Sequence, residues 1–205
     1  MEKDNVRDKI IFESIELFMN YGIRSVTMDD IAKHLGISKK TIYLHFKDKE
    51  EIILRSTQLY FENEIKVVNE LEKDCENAVD HLNKLTVCLR DRLKNTNSSV
   101  MFDLKKYYSK AWDLYKKHKH DVIFNSVLNN LKRGMAEGLF RMDINPEILA
   151  YLRIGEIELS FNKEYFPEDK FTLAEIHGQL FDHFTHGILS EEGFKLLETY
   201  KQKSI

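Results

Sequence analysis

Residues 27–49, TMDDIAKHLGISKKTIYLHFKDK, decide how this chain folds. The stretch reads as two short helices joined by a tight turn. Thr27 and Asp30 have the T-x-x-D spacing of a capping box, and Asp29 adds negative charge in the first turn, where the helix dipole favours it. Ile31, Ala32 and Leu35 share one helical face. Ala32 is small, as a close helix crossing requires, and Gly36 has the backbone freedom that a turn needs. Ile37 plugs the corner and Ser38 caps the second helix. In that helix Ile42 and Phe46 lie four apart and face inward. Lys39, Lys40, Thr41, Tyr43, Leu44 and His45 are left near its N-terminus or on its outer face. A helix-turn-helix pushes that part of itself into a major groove.

Charge agrees with this reading. Between Lys33 and Lys49 five lysines face Asp48 alone, a local excess of four positive charges in a chain of net charge -3. A balanced or acidic protein with one basic helix pair bearing hydroxyls and aromatics is suited to meet phosphate at one place. A solvated lysine face on an ordinary helical hairpin would need neither the turn glycine, nor two caps, nor the hydrophobic corner.

The pattern Thr27-x-x-x-Ile31-Ala32-x-x-x-Gly36-Ile37-Ser38-x-x-Thr41-Ile42-Tyr43-x-His45-Phe46-x-x-Lys49 resembles the DNA-binding domain of the TetR family of one-component bacterial regulators. The resemblance implies an all-α protein with a three-helix N-terminal DNA-binding domain over residues 1–48. It also implies a helical ligand-binding and dimerisation domain over 49–205, and repression relieved by a small molecule. Thr27, Tyr43, His45 and Lys49 match family positions that contact phosphates. Ser38, Lys39, Lys40, Thr41 and Leu44 match positions that face bases or the nearby backbone.

Composition points the same way. In 205 residues there are only two prolines and eight glycines, and Leu, Ile, Glu and Lys recur at helical spacing, which predicts an all-α chain with a substantial core. Cys75 and Cys88 are expected to stay reduced. The charged start MEKDNVRDKI is no signal peptide, and no apolar run is long enough to cross a bilayer, so a soluble cytoplasmic protein is expected.

Taken in order, the first helix is expected from roughly Val6 to Asn20, with Ile11, Ile15, Phe18 and Met19 buried and Gly22 capping it. The fourth begins at Asp48 and runs without glycine or proline to about Leu71, a rigid lever between the two domains. Ala78, Leu82, Leu85, Leu89 and Leu93 mark a fifth, which the polar run 95–99 ends as a mobile loop. A sixth carries Leu104, Tyr108, Ala111 and Tyr115, with Trp112 beside them. Lys116 to His120 reads as solvated surface or a helix junction. A seventh carries Ile123, Val127, Leu131 and Met135 and stops near Gly138. Asn145-Pro146 starts an eighth helix with two apolar faces: Ile148, Leu152, Gly155 and Leu159 on one, Ala150, Ile154, Ile157 and Phe161 on the other. Thr172 and Glu175 box a ninth, with Leu173, Ile176, Leu180, Phe184 and Ile188 as its stripe. A last helix covers about 191–200.

The eighth and ninth helices resemble the pair that makes the family's four-helix dimer interface, which would use Ile148, Leu152, Leu159, Leu173, Leu180 and Phe184. A dimer would set two recognition helices on a (pseudo)palindromic double-stranded operator. A cavity among the fifth to eighth helices, lined by Leu89, Tyr108, Trp112, Phe124, Leu128, Ile157 and Phe161, would take an apolar or aromatic effector. Arg153, Glu156 and Glu158 could face that pocket, water or the dimer partner. No cofactor is expected, and no glycine-rich phosphate loop, nucleophile elbow or H-E-x-x-H suggests an enzyme. Two rivals remain. One is a DNA-bound adaptor that positions a protein partner. The other is a metal-responsive regulator using His183 with His186, or His118 with His120.

Overall fold

The computed structural model describes residues 2–203. They form eleven α-helices: α1 (Glu2–Tyr21), α2 (Met28–Leu35), α3 (Lys39–Tyr43), α4 (Lys49–Asp74), α5 (Ala78–Leu93), α6 (Ser99–Tyr107), α7 (Ser109–His118), α8 (Asn125–Ala136), α9 (Pro146–Ser160), α10 (Leu173–Ile188) and α11 (Glu191–Lys203). A π-helical segment, Lys119–Phe124, joins α7 to α8. No described helix is long and apolar enough to cross a membrane. The chain divides into two compact units, residues 1–64 with 95–117, and residues 65–94 with 118–205. Packing therefore groups α6 and α7 with the N-terminal helices, a different partition from the division at residue 48 drawn on the sequence motif.

In the first unit Ile10, Ile11, Leu17 and Phe18 of α1 meet Ile31 and Ala32 of α2, Ile42, Phe46, and Ile52 and Ile53 of α4. Val100, Leu104 and Ala111 close the same core, with Tyr108 and Trp112 half-buried against it. Asp48 accepts the Glu51 amide at 2.8 Å, and Glu51 in turn accepts the Lys47 amide at 3.0 Å, so α4 starts where the sequence placed its cap. The run 95–99 is not a loose loop. Asn97 donates its amide to the Met19 carbonyl at 2.6 Å, and its side chain accepts from the Ser99 amide and hydroxyl at 2.9 and 2.7 Å.

The expected sixth helix is broken in two. Tyr108 adopts φ -129° and ψ 69°, ending α6 and letting α7 set off in a new direction. The bend allows Leu104 and Ala111 to reach one core. Lys116–His120 is the expected helix junction, where α7 passes into the π-helical segment with Lys116, Lys117 and His120 exposed, while His118 and Phe124 are buried.

The second unit packs Ala78, Val79 and Leu82 of α5, Leu131 of α8, Ala150 and Ile154 of α9, Phe181, Phe184 and Ile188 of α10, and Leu197 of α11 around Phe140. Thr172 and Glu175 form the expected capping box, and Asn145 caps α9 with Pro146 in its first turn. Of the two apolar faces of α9, Ala150 and Ile154 are buried, whereas Ile148 is 64% and Leu152 50% exposed. Arg153 is 2% exposed. Its guanidinium donates to Glu156 at 3.1 Å and to Nε2 of His177 at 3.0 Å, and lies 4.6 Å from the Phe181 ring centroid. Burial, with the Arg153 charge beside it, pushes the His177 imidazole down to about 3. That histidine is neutral in the fold and accepts through Nε2.

Two experiments follow from this packing. The unfolded chain takes up a proton on His177 as pH falls through about 6.5, while the folded chain resists until about 3. Stability supplied by the neutral ring is whole above pH 6.5 and is lost on acidification, by up to about 1.4 kcal/mol per pH unit. Urea unfolding from pH 7 to 5 should show this slope, and His177→Gln should flatten it. Glycine positions supply the second. A Cβ on Gly193 would stand 2.0 Å from the Leu139 carbonyl oxygen, whereas one on Gly36 meets nothing within 4 Å. Gly36→Ala should therefore cost only the left-handed backbone penalty of about 1–2 kcal/mol. Gly193→Ala should cost more, about 3 kcal/mol, because backbone must move.

Candidate nucleic-acid interface

Local hydrogen bonds build the α2–turn–α3 unit from both ends. Thr27 is extended at φ -103° and ψ 169°, and its hydroxyl accepts the Asp30 amide at 3.2 Å. Asp30 accepts back from the Thr27 amide at 2.8 Å and hydroxyl at 2.7 Å, which holds its carboxyl below the usual range. Gly36 turns the chain at φ 66°. Ser38 accepts the Thr41 amide at 3.0 Å and pairs with the Thr41 hydroxyl at 2.8 Å. Ile42 and Phe46 are fully buried. Their burial turns the opposite face outward: Tyr43 is 48% and Leu44 75% exposed, with Lys40 exposed beside them.

The nine residues singled out in the sequence do not stand alike. Lys39 is tied to Asp29 at 2.8 Å, a hydrogen bond that raises its ammonium and braces the start of α3 against the start of α2. Ser38, Thr27 and Thr41 are engaged in caps. His45 is half-buried. Lys49 is turned onto the Ile23 carbonyl at 2.6 Å, over the Phe18 ring, and partial burial lowers its ammonium. It pins the α1–α2 turn, a task its place in the motif did not announce.

The effector and dimer residues sort differently from expectation. Tyr108 and Trp112 pack on the core of the first unit, Trp112 with its ring 4.8 Å from Tyr115. Phe124 and Leu128 belong to the core of the second, where Leu89, Ile157 and Phe161 are half-buried. The seven are thus divided between units. Leu173 and Phe184, expected on a dimer face, are buried inside their own unit, and Leu159 and Leu180 are half-buried. Beside Phe184 runs an open groove of about 430 Å³, lined by Ile148, Leu149, Leu152 and Glu156 of α9 and His183 and Gly187 of α10. Arg153 is shielded from water and tied to Glu156, which lines that groove, and Glu158 pairs with Lys119 at 2.7 Å. Among the described residues, the ligand atoms that gather as a metal would require are those of Glu13, Glu16 and His34, not either histidine pair.

Residues 10–55 match the family described as bacterial regulatory proteins, tetR family. The N-terminal helices are thus similar to the DNA-binding domain of TetR-family transcriptional regulators. The TetR match spans α1 to the start of α4. YvaF of Bacillus subtilis, an uncharacterized HTH-type transcriptional regulator, is 25% identical over 188 residues, covering 90% of this chain and 96% of its own. The biofilm operon icaADBC negative transcriptional regulator IcaR of Staphylococcus epidermidis is 41% identical over 56 residues, 27% of this chain and 30% of its own. Over 92% of this chain and all of the other, the fold matches that of a protein from Saccharomonospora viridis, described as a transcriptional regulator and solved in complex with choline, at TM-score 0.72 and 20% identity.

Because Tyr43 is 48% exposed, Tyr43→Phe should weaken DNA binding by about tenfold to a hundredfold, the worth of one hydrogen bond to a charged oxygen. The loss should be equal on operator and scrambled duplexes in fluorescence anisotropy. A change of sequence preference would show that Tyr43 reads bases instead.

Proposed function

We propose that this protein is a TetR-family cytoplasmic repressor that binds a (pseudo)palindromic operator as a homodimer and is released by a small apolar or aromatic effector. The observation that carries the reading is a division of labour. A rigid helix-turn-helix presents Lys40, Tyr43 and Leu44 on one free face, while α9 leaves Ile148, Tyr151 and Leu152 uncovered. One recognition helix makes too few contacts for selective binding. Two, set one helical turn apart at roughly 34–36 Å, read a site with matching symmetry. In this reading Lys40 reaches base edges or flanking phosphate and Leu44 lies against a thymine methyl or the groove wall. Thr27, Tyr43 and His45 fix register on the backbone.

A second copy laid over the α9–α10 groove would cover Ile148 and Leu152, with Leu159 and Leu180 at its margin. IcaR, a negative regulator by name, supports repression, and the choline-bound neighbour supports a small-molecule effector. An effector that prefers the form unable to span both half-sites lowers DNA affinity by the ratio of its affinities for the two forms. Its contacts would come from Leu89, Phe124, Leu128, Ile157 and Phe161 of the second unit.

The test joins assembly to binding. Wild-type protein should sediment as a dimer and select a duplex from upstream of its own gene over a scrambled one. Leu152→Glu, at an exposed position, should leave the monomer folded, shift the chain toward monomer and reduce operator affinity at least tenfold. A Leu152→Glu protein that stays dimeric would refute the α9 interface.

A further inference from the structure

Tyr107 lies at the end of α6 with its hydroxyl accepting from the Arg24 guanidinium at 3.1 Å, and the Arg24 carbon sits 4.4 Å above the Tyr107 ring. Lys106 stands 5.1 Å from the Phe102 ring and 5.4 Å from that of Tyr107, and Lys105 stands 5.8 Å from that of Trp112. Phe102 and Tyr107 are themselves 54% and 42% exposed. Lys110, the second residue of α7, is exposed as well. Arg24 and Lys106 thus stand against two open aromatic rings, and Lys105 and Lys110 are exposed on either side of the break between α6 and α7.

This surface adjoins the helix-turn-helix by direct bonds. The Arg24 amide donates to Asp103 of α6 at 3.1 Å, and Lys49, at the start of α4, is bonded to the carbonyl next to Arg24. Thr27, the cap of α2, follows three residues later in the chain. Positions 24, 27, 49 and 107 therefore lie around one corner of the first unit. The acidic groups facing that corner are few and mostly occupied. Asp103 is 5% exposed and engaged with Arg24, Asp30 is engaged with Thr27, and Glu50 remains.

The helix dipole alone favours lysines at the end of α6. It accounts for neither Arg24 and Lys110 nor the exposed rings. Cations stacked on aromatic faces keep their stems ordered while their charged ends stay in water, so less entropy is lost when an anion arrives.

We infer that Arg24 and Lys106, braced by Phe102 and Tyr107, form with Lys105 and Lys110 a second DNA-backbone contact that extends the helix-turn-helix footprint along the adjoining phosphates. The inference rests on the proposed operator-binding reading for its docking geometry. The partner is duplex phosphate: the patch is cationic, it is continuous with Thr27, and it offers no fork aimed at a base edge. It adds affinity and salt dependence, and no sequence preference.

Three proteins would be compared: wild type, K105Q/K106Q/K110Q, and a control, K132Q/K163Q/K170Q, that makes the same change of net charge in the second unit. Each is titrated by anisotropy into a 40-bp duplex from upstream of the protein's own gene and into its scrambled counterpart, across roughly 50–200 mM KCl. The patch variant should lower the slope of log affinity against log salt by about 0.9 per contact, some two to three in all, equally on both duplexes. At 100 mM salt that corresponds to about an eightfold loss per contact. The control should match wild type, and R24Q should lose about one further contact. Selective wild-type binding with an unchanged slope in the patch variant would overturn the inference while leaving the operator reading intact. A slope reduced in the patch variant, with wild type blind to sequence, would support the contact and overturn the operator reading. Equal losses in variant and control would reduce the effect to net charge and overturn the contact.

Discussion

The burial of Ile42 and Phe46 is the constraint on which the rest of the first unit depends. A helix of five residues cannot hold itself together in water, because nucleation costs more than so few hydrogen bonds return. α3 exists because its two apolar side chains are fully buried against α1, α2 and α4. Once they are placed, the direction of Lys40, Tyr43 and Leu44 is no longer free. The face left outward is the remainder of a packing problem solved on the other side.

The same economy shows in the polar groups around the motif. Lys39, Lys49, Asp29 and Asp30 look from their charges like partners for phosphate or water, yet each is engaged in positioning a helix end. The bare count of local positive charge therefore overstates what α3 alone brings to a phosphate backbone. On the proposed reading of the α6–α7 surface, cations distant in sequence restore it.

In the second unit, Arg153 plays the part that Phe46 plays in the first, with the opposite chemistry. A guanidinium with 2% exposure is tolerable only with partners on its donors, and Glu156 and a neutral His177 provide them while Phe181 covers its face. The arrangement orients α9 against α10, and so decides which apolar stripe of α9 is left outside. Its cost is sensitivity to acid, since protonating His177 beside Arg153 would set two buried cations together.

By itself the sequence determined what depends on neighbours a few residues apart. The capping boxes at Thr27 and Thr172, the Asn145-Pro146 start, the turn at Gly36, and the inward pair Ile42 and Phe46 were all legible, because hydrogen bonds and periodicity within one or two helical turns produce them. Tertiary structure alone decided the break at Tyr108, the π-helical turn that buries His118, and the allotment of Tyr108 and Trp112 to the first unit. It also decided that Leu173 and Phe184 are core while Ile148 and Leu152 are surface, and that Lys49 serves a backbone carbonyl. Each of these depends on what lies across the helix from a residue. Helical spacing states that a face is apolar and leaves open whether that face meets its own core, a partner or water.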